Sequence, residues 1–332
     1  MVFVPVETYM AYGDISSLRM SYETLLKFAN FVRRLPLVDG LSSGHMSWND
    51  WFSEPSNADR VLLENLSVCL LFRKLAWIAN ELGETGEARS LTMDAGVRSD
   101  AINKKFFRDG NYGGINMQTE MSLALAAGVV PQADEMAVAK TLFDDIEKHG
   151  FLTLGIYGVW ALMTDVLPRF GRNDLAWKMV KGEKPRTFGF WLVDPNEPQG
   201  LTSIPERWIT DRTHPGIQTS HMDFTSFDAW FHREFAGLKP TKPGYKEFLF
   251  APFLSEGVES AATTKETPYG LLSVSWKRKG NDLLVELDVP VSVEGVLRIP
   301  GAGEDQRVGS GKHEFRMILA FGSSCGKSGG LA

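Results

Sequence analysis

The sequence predicts a mainly α-helical fold, with helical hairpins stacked in a ring, followed by a small antiparallel β-domain. Three observations predict it. Apolar residues recur at helical spacing from the N-terminus to about residue 238. Some of these segments are apolar on every side while others are amphipathic, as the inner and outer helices of a ring would be. After Lys239-Pro240-Thr241-Lys242-Pro243-Gly244, two prolines and a glycine break the helix, and the apolar period drops to two.

The helical part reads in order. Ser17 to Arg34 carries Leu18, Tyr22, Leu25, Leu26, Phe28 and Val32 at helical spacing. Asn57 is a suitable cap for a long helix from Ala58 to Leu82, ended by Gly83. Glu84 to Phe107, Met117 to Ala127 and Asp134 to His149 follow, the last two closed by Gly128 and Gly150. Leu154 to Phe170 is apolar on most sides, hence buried, and precedes Asn173 to Lys181 and Phe224 to Phe235. No short repeat period is visible, which argues against a solenoid. In the β-domain, strands are expected at Phe248 to Phe250, Val258 to Ala262, Leu271 to Lys277, Leu283 to Val289, Gly295 to Ile299 and His313 to Met317. The domains are therefore expected at 1–238 and 239–320, with a Gly/Ser tail at 321–332.

Composition narrows the function. The net charge of -6 argues against a nucleic-acid or anionic-membrane partner, since both need a basic face. The 9 Trp and 21 Phe supply large rings for a core, and a ring at a loop can stack on the C–H side of a sugar. With 2 cysteines and no CxxC pair, no metal or redox site is expected, and Cys69 reads as a buried free thiol. No cofactor is expected. The first residues lack a basic, apolar leader and no stretch approaches a membrane span, so the cytoplasm is the default location.

Four loops carry candidate chemistry. In Ser47-Trp48-Asn49-Asp50-Trp51-Phe52, a carboxylate between two indoles suits a sugar, and equally suits a helix cap with packed rings. In Asn111 to Thr119, glycines permit a tight turn, and Gln118 either supports that turn or faces the ring's centre. In Thr202-Ser203-Ile204-Pro205-Glu206-Arg207-Trp208, Pro205 stiffens the backbone beside Glu206. That carboxylate is either a general base or half of a surface Glu–Arg pair. In Thr219-Ser220-His221-Met222-Asp223, His221 either bonds a sugar hydroxyl or the reacting water, or opens a helix.

Taken in order, these segments resemble the catalytic region of the α-L-rhamnosidases, glycoside hydrolase family 78. Val4-Pro5 through Tyr12-Gly13-Asp14 resembles the family's "VP…YGD" helix, and Asn49-Asp50-Trp51 its "GDW" loop. Gln118-Thr119 with Leu123-Ala124-Leu125 resembles "QT…LAL", and Gly128-Val129-Val130-Pro131 resembles "GLVP". Thr202 to Trp208 resembles "TTIWERW", the most specific of these motifs, and His221 falls at the histidine of "SFNH". Ala236-Gly237-Leu238 and Glu266-Thr267-Pro268-Tyr269-Gly270 resemble "AGI" and "ESPYG".

The resemblance implies an (α/α)6 helical toroid of six-hairpin type with a β-sandwich behind it, and inverting hydrolysis of terminal α-L-rhamnose. It implies Glu206 as general base, and Asp50, Trp51, Trp208 and His221 around the sugar. The substrate is then a small glycoside or an oligosaccharide. The family's general-acid motif precedes the "VP…YGD" helix, at which this chain starts. The expectation is therefore base and pocket without the acid, in an incomplete toroid whose exposed helix faces a second copy would cover. A second reading is a non-catalytic protein that binds a sugar-like ligand with the same pocket.

Overall fold

The computed structural model describes residues 2–47, 49–53, 57–112, 114–195, 201, 203–209 and 223–319. They form two compact units, residues 22–227 and residues 1–21 with 228–332. The fold is mainly helical with a β-domain of two four-stranded sheets. No described helix is long and apolar enough to cross a membrane.

Helix α1 spans Phe3–Tyr12 and α2 spans Ser16–Arg33. The unit of residues 22–227 takes its core from α3 (Arg60–Glu81), which is buried nearly all round. The sequence places the cap of α3 at Asn57. The structure puts it two residues later, where the Asp59 carboxylate accepts the Leu62 N–H at 2.9 Å. Both residue types cap well, and only the one next to the first turn can reach it. Leu62, Leu66, Leu75 and Ile78 are fully buried, each contributing about 1.5–3 kcal/mol. Cys69 is buried among them, and burial pushes its thiol up to about 11.

Helix α4 (Thr85–Phe106) packs antiparallel to α3 and leads into a short hairpin of β1 (Phe107–Arg108) and β2 (Asn111–Tyr112). Its two turn residues, Asp109 and Gly110, have φ of 52° and 74°, the left-handed pair that matches strand twist. Helix α5 (Met117–Ala126) is buried along its length, whereas α6 (Glu135–His149) buries only the stripe of Val138, Leu142 and Ile146. That contrast is the inner and outer patterning read from the sequence.

The stretch read as one helix from Leu154 is broken. It consists of α7 (Ile156–Ala161), a π turn at Leu162–Val166, and α8 (Leu167–Arg169). The extra residue falls just before Pro168, whose missing N–H leaves a ladder bond unmade. Helix α9 (Asn173–Val180) and 3-10 turns at Phe188–Leu192 and Asp223–Phe227 are the remaining described elements of this unit.

The other unit holds α1, α10 (Asp228–Trp230) with a π turn at Phe231–Phe235, and the strands. The end of α1 meets a turn at close quarters. A Cβ added to Gly13 would come within 3.3 Å of the Gly244 Cα, and both residues have positive φ.

One sheet pairs β3 (Leu238–Pro240), β4 (Glu247–Phe250), β8 (Glu294–Leu297) and β9 (Gln306–Val308). The other runs β10 (Gly311–Ile318), β7 (Asp282–Val289), β6 (Gly270–Lys279), β5 (Ser260–Thr267), antiparallel throughout. Phe248, Phe250, Trp276, Val285 and Leu287 share their core. Besides the β1–β2 hairpin, two strands of this domain escaped the sequence reading. Pro240 looked like a pure breaker, but β3 lies at a sheet edge, where a missing N–H is tolerated. The β9 strand is only three residues long. The pair β4–β8 is parallel, the exception in an otherwise antiparallel domain.

Candidate active site

Three segments far apart in sequence meet in the helical unit: the loop at 49–53, the start of α7, and the stretch at 203–209. The first is a tight turn. Asn49 takes a φ of 71°, and its side-chain amide is tied on both sides. Its Nδ2 donates to the Ala58 carbonyl at 2.8 Å, and its Oδ1 accepts the Asp50 N–H at 2.8 Å. This turn sends Asp50 inward and Trp51 outward.

Asp50 is fully buried. Its Oδ2 accepts from the Thr119 hydroxyl at 2.6 Å and from the Gly155 N–H at 2.7 Å. Its Oδ1 accepts the N–H groups of Tyr157 at 2.9 Å and Gly158 at 3.3 Å. Four donors fill the roughly four accepting positions of a carboxylate. Burial pushes the carboxyl up, against the opposing pull of the Thr119 hydroxyl and the three backbone donors. The next residue joins the same helix start, because the Trp51 carbonyl accepts the Ile156 N–H at 3.1 Å.

Glycine is required for this approach. A Cβ on Gly155 would sit 2.3 Å from the Trp51 carbonyl oxygen, and one on Gly158 would sit 2.9 Å from Asp50 Oδ2. The glycines three apart in an apolar helix start were the signal available in the sequence, since an isolated helical glycine often has a packing reason.

The third segment hangs from Trp208. Its ring is fully buried against Phe188, Trp191 and Phe224, with centroids at 5.3, 5.4 and 4.7 Å. Its indole N–H donates to the Leu154 carbonyl at 2.6 Å, and its own carbonyl accepts the Trp191 indole N–H at 3.1 Å. Pro205 is buried, and Glu206 and Arg207 are half-buried. The Arg207 guanidinium lies 4.5 Å over the Phe52 ring, which in turn meets Trp51 edge-on at 4.9 Å.

The outward side chain of the first segment then reaches the third. The Trp51 indole N–H donates to Glu206 Oε1 at 3.2 Å, joining residues 155 apart in sequence. Trp51 remains 38% exposed.

The structure thus brings together Trp51 and Glu206 at an accessible surface. Asp50 and Trp208, expected beside the sugar, have no exposed surface and hold the two segments from behind. Trp48, His221 and the tail at 321–332 lie outside the described residues. Gln118 is buried too, accepting the Thr153 N–H and donating to Asp145, both at 2.9 Å. Beside it, the buried Glu120 accepts the Asp59 and Ile115 N–H groups at 2.8 and 3.1 Å. Among the described residues, no three His, Cys, Asp or Glu side chains converge as metal ligands would.

Helical hairpins followed in sequence by a β-domain fit the class of six-hairpin glycosidases. Residues 1–235 match the family model of the bacterial alpha-L-rhamnosidase 6 hairpin glycosidase domain, and residues 237–314 that of the bacterial alpha-L-rhamnosidase C-terminal domain. The chain belongs to the bacterial alpha-L-rhamnosidase family. An alpha-L-rhamnosidase of Formosa agariphila is 26% identical over 313 residues, 90% of this chain and 33% of that protein. One from an Alteromonas species is 28% identical over 312 residues, covering 87% and 33%. The chain spans about a third of the length of these curated relatives. Among solved structures, the alpha-L-rhamnosidase from Dictyoglumus thermophilum superposes with a TM-score of 0.87 at 25% identity, covering 96% of this chain and 39% of that one. The Streptomyces avermitilis enzyme, solved with L-rhamnose, gives 0.85 at 22% identity over 95% and 32%, a likeness of fold.

Proposed function

We propose that this chain takes part in hydrolysing terminal α-L-rhamnose from glycosides with inversion, with Glu206 as general base. The observation that carries this is the Trp51–Glu206 hydrogen bond, which sets an oriented carboxylate beside a partly exposed indole. The carboxylate takes a proton from water, whose oxygen attacks the anomeric carbon. The departing glycosidic oxygen takes its proton from a second carboxyl group on the opposite face, about 6.5–9.5 Å away so that water fits between; no motif of this chain supplies that group, and an aryloxide leaving group depends on it least. Trp51 offers its ring to the C–H face of the sugar, and His221 bonds a sugar hydroxyl or the reacting water. Asp50 and Trp208 shape the pocket from beneath.

The domain division proposed with this function is 1–238 for the helical catalytic-type domain and 239–320 for the β-sandwich, supported by the change of family model between residues 235 and 237. The test is hydrolysis of an aryl α-L-rhamnoside by the purified protein and by Glu206→Gln. The wild type is expected to release rhamnose, and the variant to lose about 10²–10⁴-fold in kcat. Equal rates would remove Glu206 from the reaction.

A further inference from the structure

We propose that Asp50 is a positioning residue for the Trp51–Glu206 pair, acting through the Trp51 indole and never touching the sugar. The proposal rests on the reading of Glu206 as base, and adds to it the device that sets the base's orientation. Three observations lead to it.

First, the Asp50 carboxylate is spent. It is fully buried, and its four donors come from Thr119, Gly155, Tyr157 and Gly158. A group so occupied accepts nothing from a ligand without leaving a buried donor unsatisfied.

Second, both members of the pair are referenced to one short stretch of backbone. Trp51 is fixed there by the Ile156 N–H on its carbonyl and by the neighbouring Asp50 on the Gly155 N–H. Glu206 is fixed there by Trp208, two residues on, through the Leu154 carbonyl. Residues 154–156 therefore serve as the common anchor, and the distance between the indole and the carboxylate is set from that anchor.

Third, the anchor leaves no slack. Gly155 has no room for a Cβ against the Trp51 and Asp50 carbonyls. At Asn49 the turn is pinned by two further hydrogen bonds. The loop thus cannot slide to recover the indole's position once Asp50 lets go. Replacing the carboxylate by an amide turns an NH₂ group toward the backbone donors on one side or the other, so at least one backbone N–H bond is lost whichever way the amide lies, that of Gly155 or those of Tyr157 and Gly158.

The test reads the indole directly and the reaction separately. In a ¹⁵N–¹H spectrum of the whole protein, the Trp51 indole resonance is assigned by its loss in Trp51→Phe. It is expected to move in Glu206→Gln, and to move also in Asp50→Asn, while the other tryptophans hold their places. Thr119→Val, which removes one donor only, is expected to move it less and covers the case in which Asp50→Asn does not fold.

With an aryl α-L-rhamnoside, Asp50→Asn is expected to lower kcat about 10–100-fold with KM within about twofold. In a Trp51→Phe background the same change is expected to alter kcat by less than about twofold, since a residue acting through the indole has nothing left to act on. Leu142→Ala, in the buried stripe of α6, gives a comparably destabilised control whose kcat stays at the wild-type level. The proposal is overturned by a Trp51 resonance that ignores both Asp50→Asn and Thr119→Val, or by an equal kcat loss in both backgrounds. If the wild-type protein leaves the rhamnoside intact, the hydrolytic reading fails, and the indole spectrum still decides the role of Asp50.

Discussion

The two units of this protein fill their interiors differently. Inside the helical unit lie Asp50, Asn65, Arg98, Gln118, Thr119 and Glu120, each at most 5% exposed. Inside the other unit lie Phe248, Phe250, Trp276, Val285 and Leu287, and the buried Glu234 of that unit is paired with Lys239 at 2.6 Å. An apolar interior is held by area and shape alone. A polar one must satisfy each donor and acceptor, and in return fixes directions that apolar packing leaves loose. Asp50 and Thr119 take on that cost directly behind Trp51, which bonds Glu206. The teaching is that hydrogen bonds inside this unit set a geometry, while packing inside the sandwich sets stability.

Substitutions can break that comparison. The largest expected loss of stability is from Trp276→Ala in the sandwich, about 3–5 kcal/mol by urea unfolding. Its ring is fully buried and its N–H donates to the Phe235 carbonyl at 3.2 Å. The folded fraction is expected to keep its kcat, and a collapse of kcat at full folding would erase the distinction between the units.

Gly155→Ala comes next. Its methyl meets two carbonyl oxygens at 2.3 and 2.7 Å, so the backbone must part. About 1–3 kcal/mol of stability is expected to go, and kcat to fall about tenfold or more, because the anchor of both site residues shifts. Stability lost without activity would argue that the anchor does not reach the site.

Trp208→Phe removes one N–H and leaves the Leu154 carbonyl without it. Around 1–2 kcal/mol is expected from calorimetry, with KM rising less than kcat falls.

The smallest effect is a pH dependence at Glu120, whose carboxyl is pushed up by burial against the pull of the Asp59, Ile115 and Asn116 N–H groups. The folded protein then holds this proton more tightly than the unfolded chain does. The stability it contributes is complete below the ordinary glutamate value of about 4.3, and is lost as pH rises through the higher native value. Glu120→Gln is expected to flatten that fall in unfolding free energies measured between pH 4 and 8. An unchanged slope would place the titration elsewhere.

Much of this was legible in the sequence, and the gaps have physical causes. The helical period located α2, α3 and α4 to within a residue or two, because one buried stripe repeats faithfully along each. It could not show the π turn at Leu162–Val166, which adds one residue to a turn within a helix buried on most sides. Asn57 and Asp59 cap equally well by composition, so only the structure separates them. At the site, the motifs singled out Asp50, Trp51, Glu206 and Trp208, all as residues near a sugar. Which of them face inward depends on contacts with Thr119, Gly155 and Leu154, each far away in the chain. A local pattern carries residue type but not burial, so the buried Asp50 and Trp208 read no differently from the partly exposed Trp51 and Glu206.

The most direct test of the account follows the first sugar released. A protein whose Glu206 activates water on the face opposite the leaving group must invert the anomeric carbon. Time-resolved proton NMR of aryl α-L-rhamnoside hydrolysis, read before mutarotation, is expected to show β-L-rhamnose appearing first and Glu206→Gln to suppress it. Release of α-L-rhamnose as the first product would contradict the account.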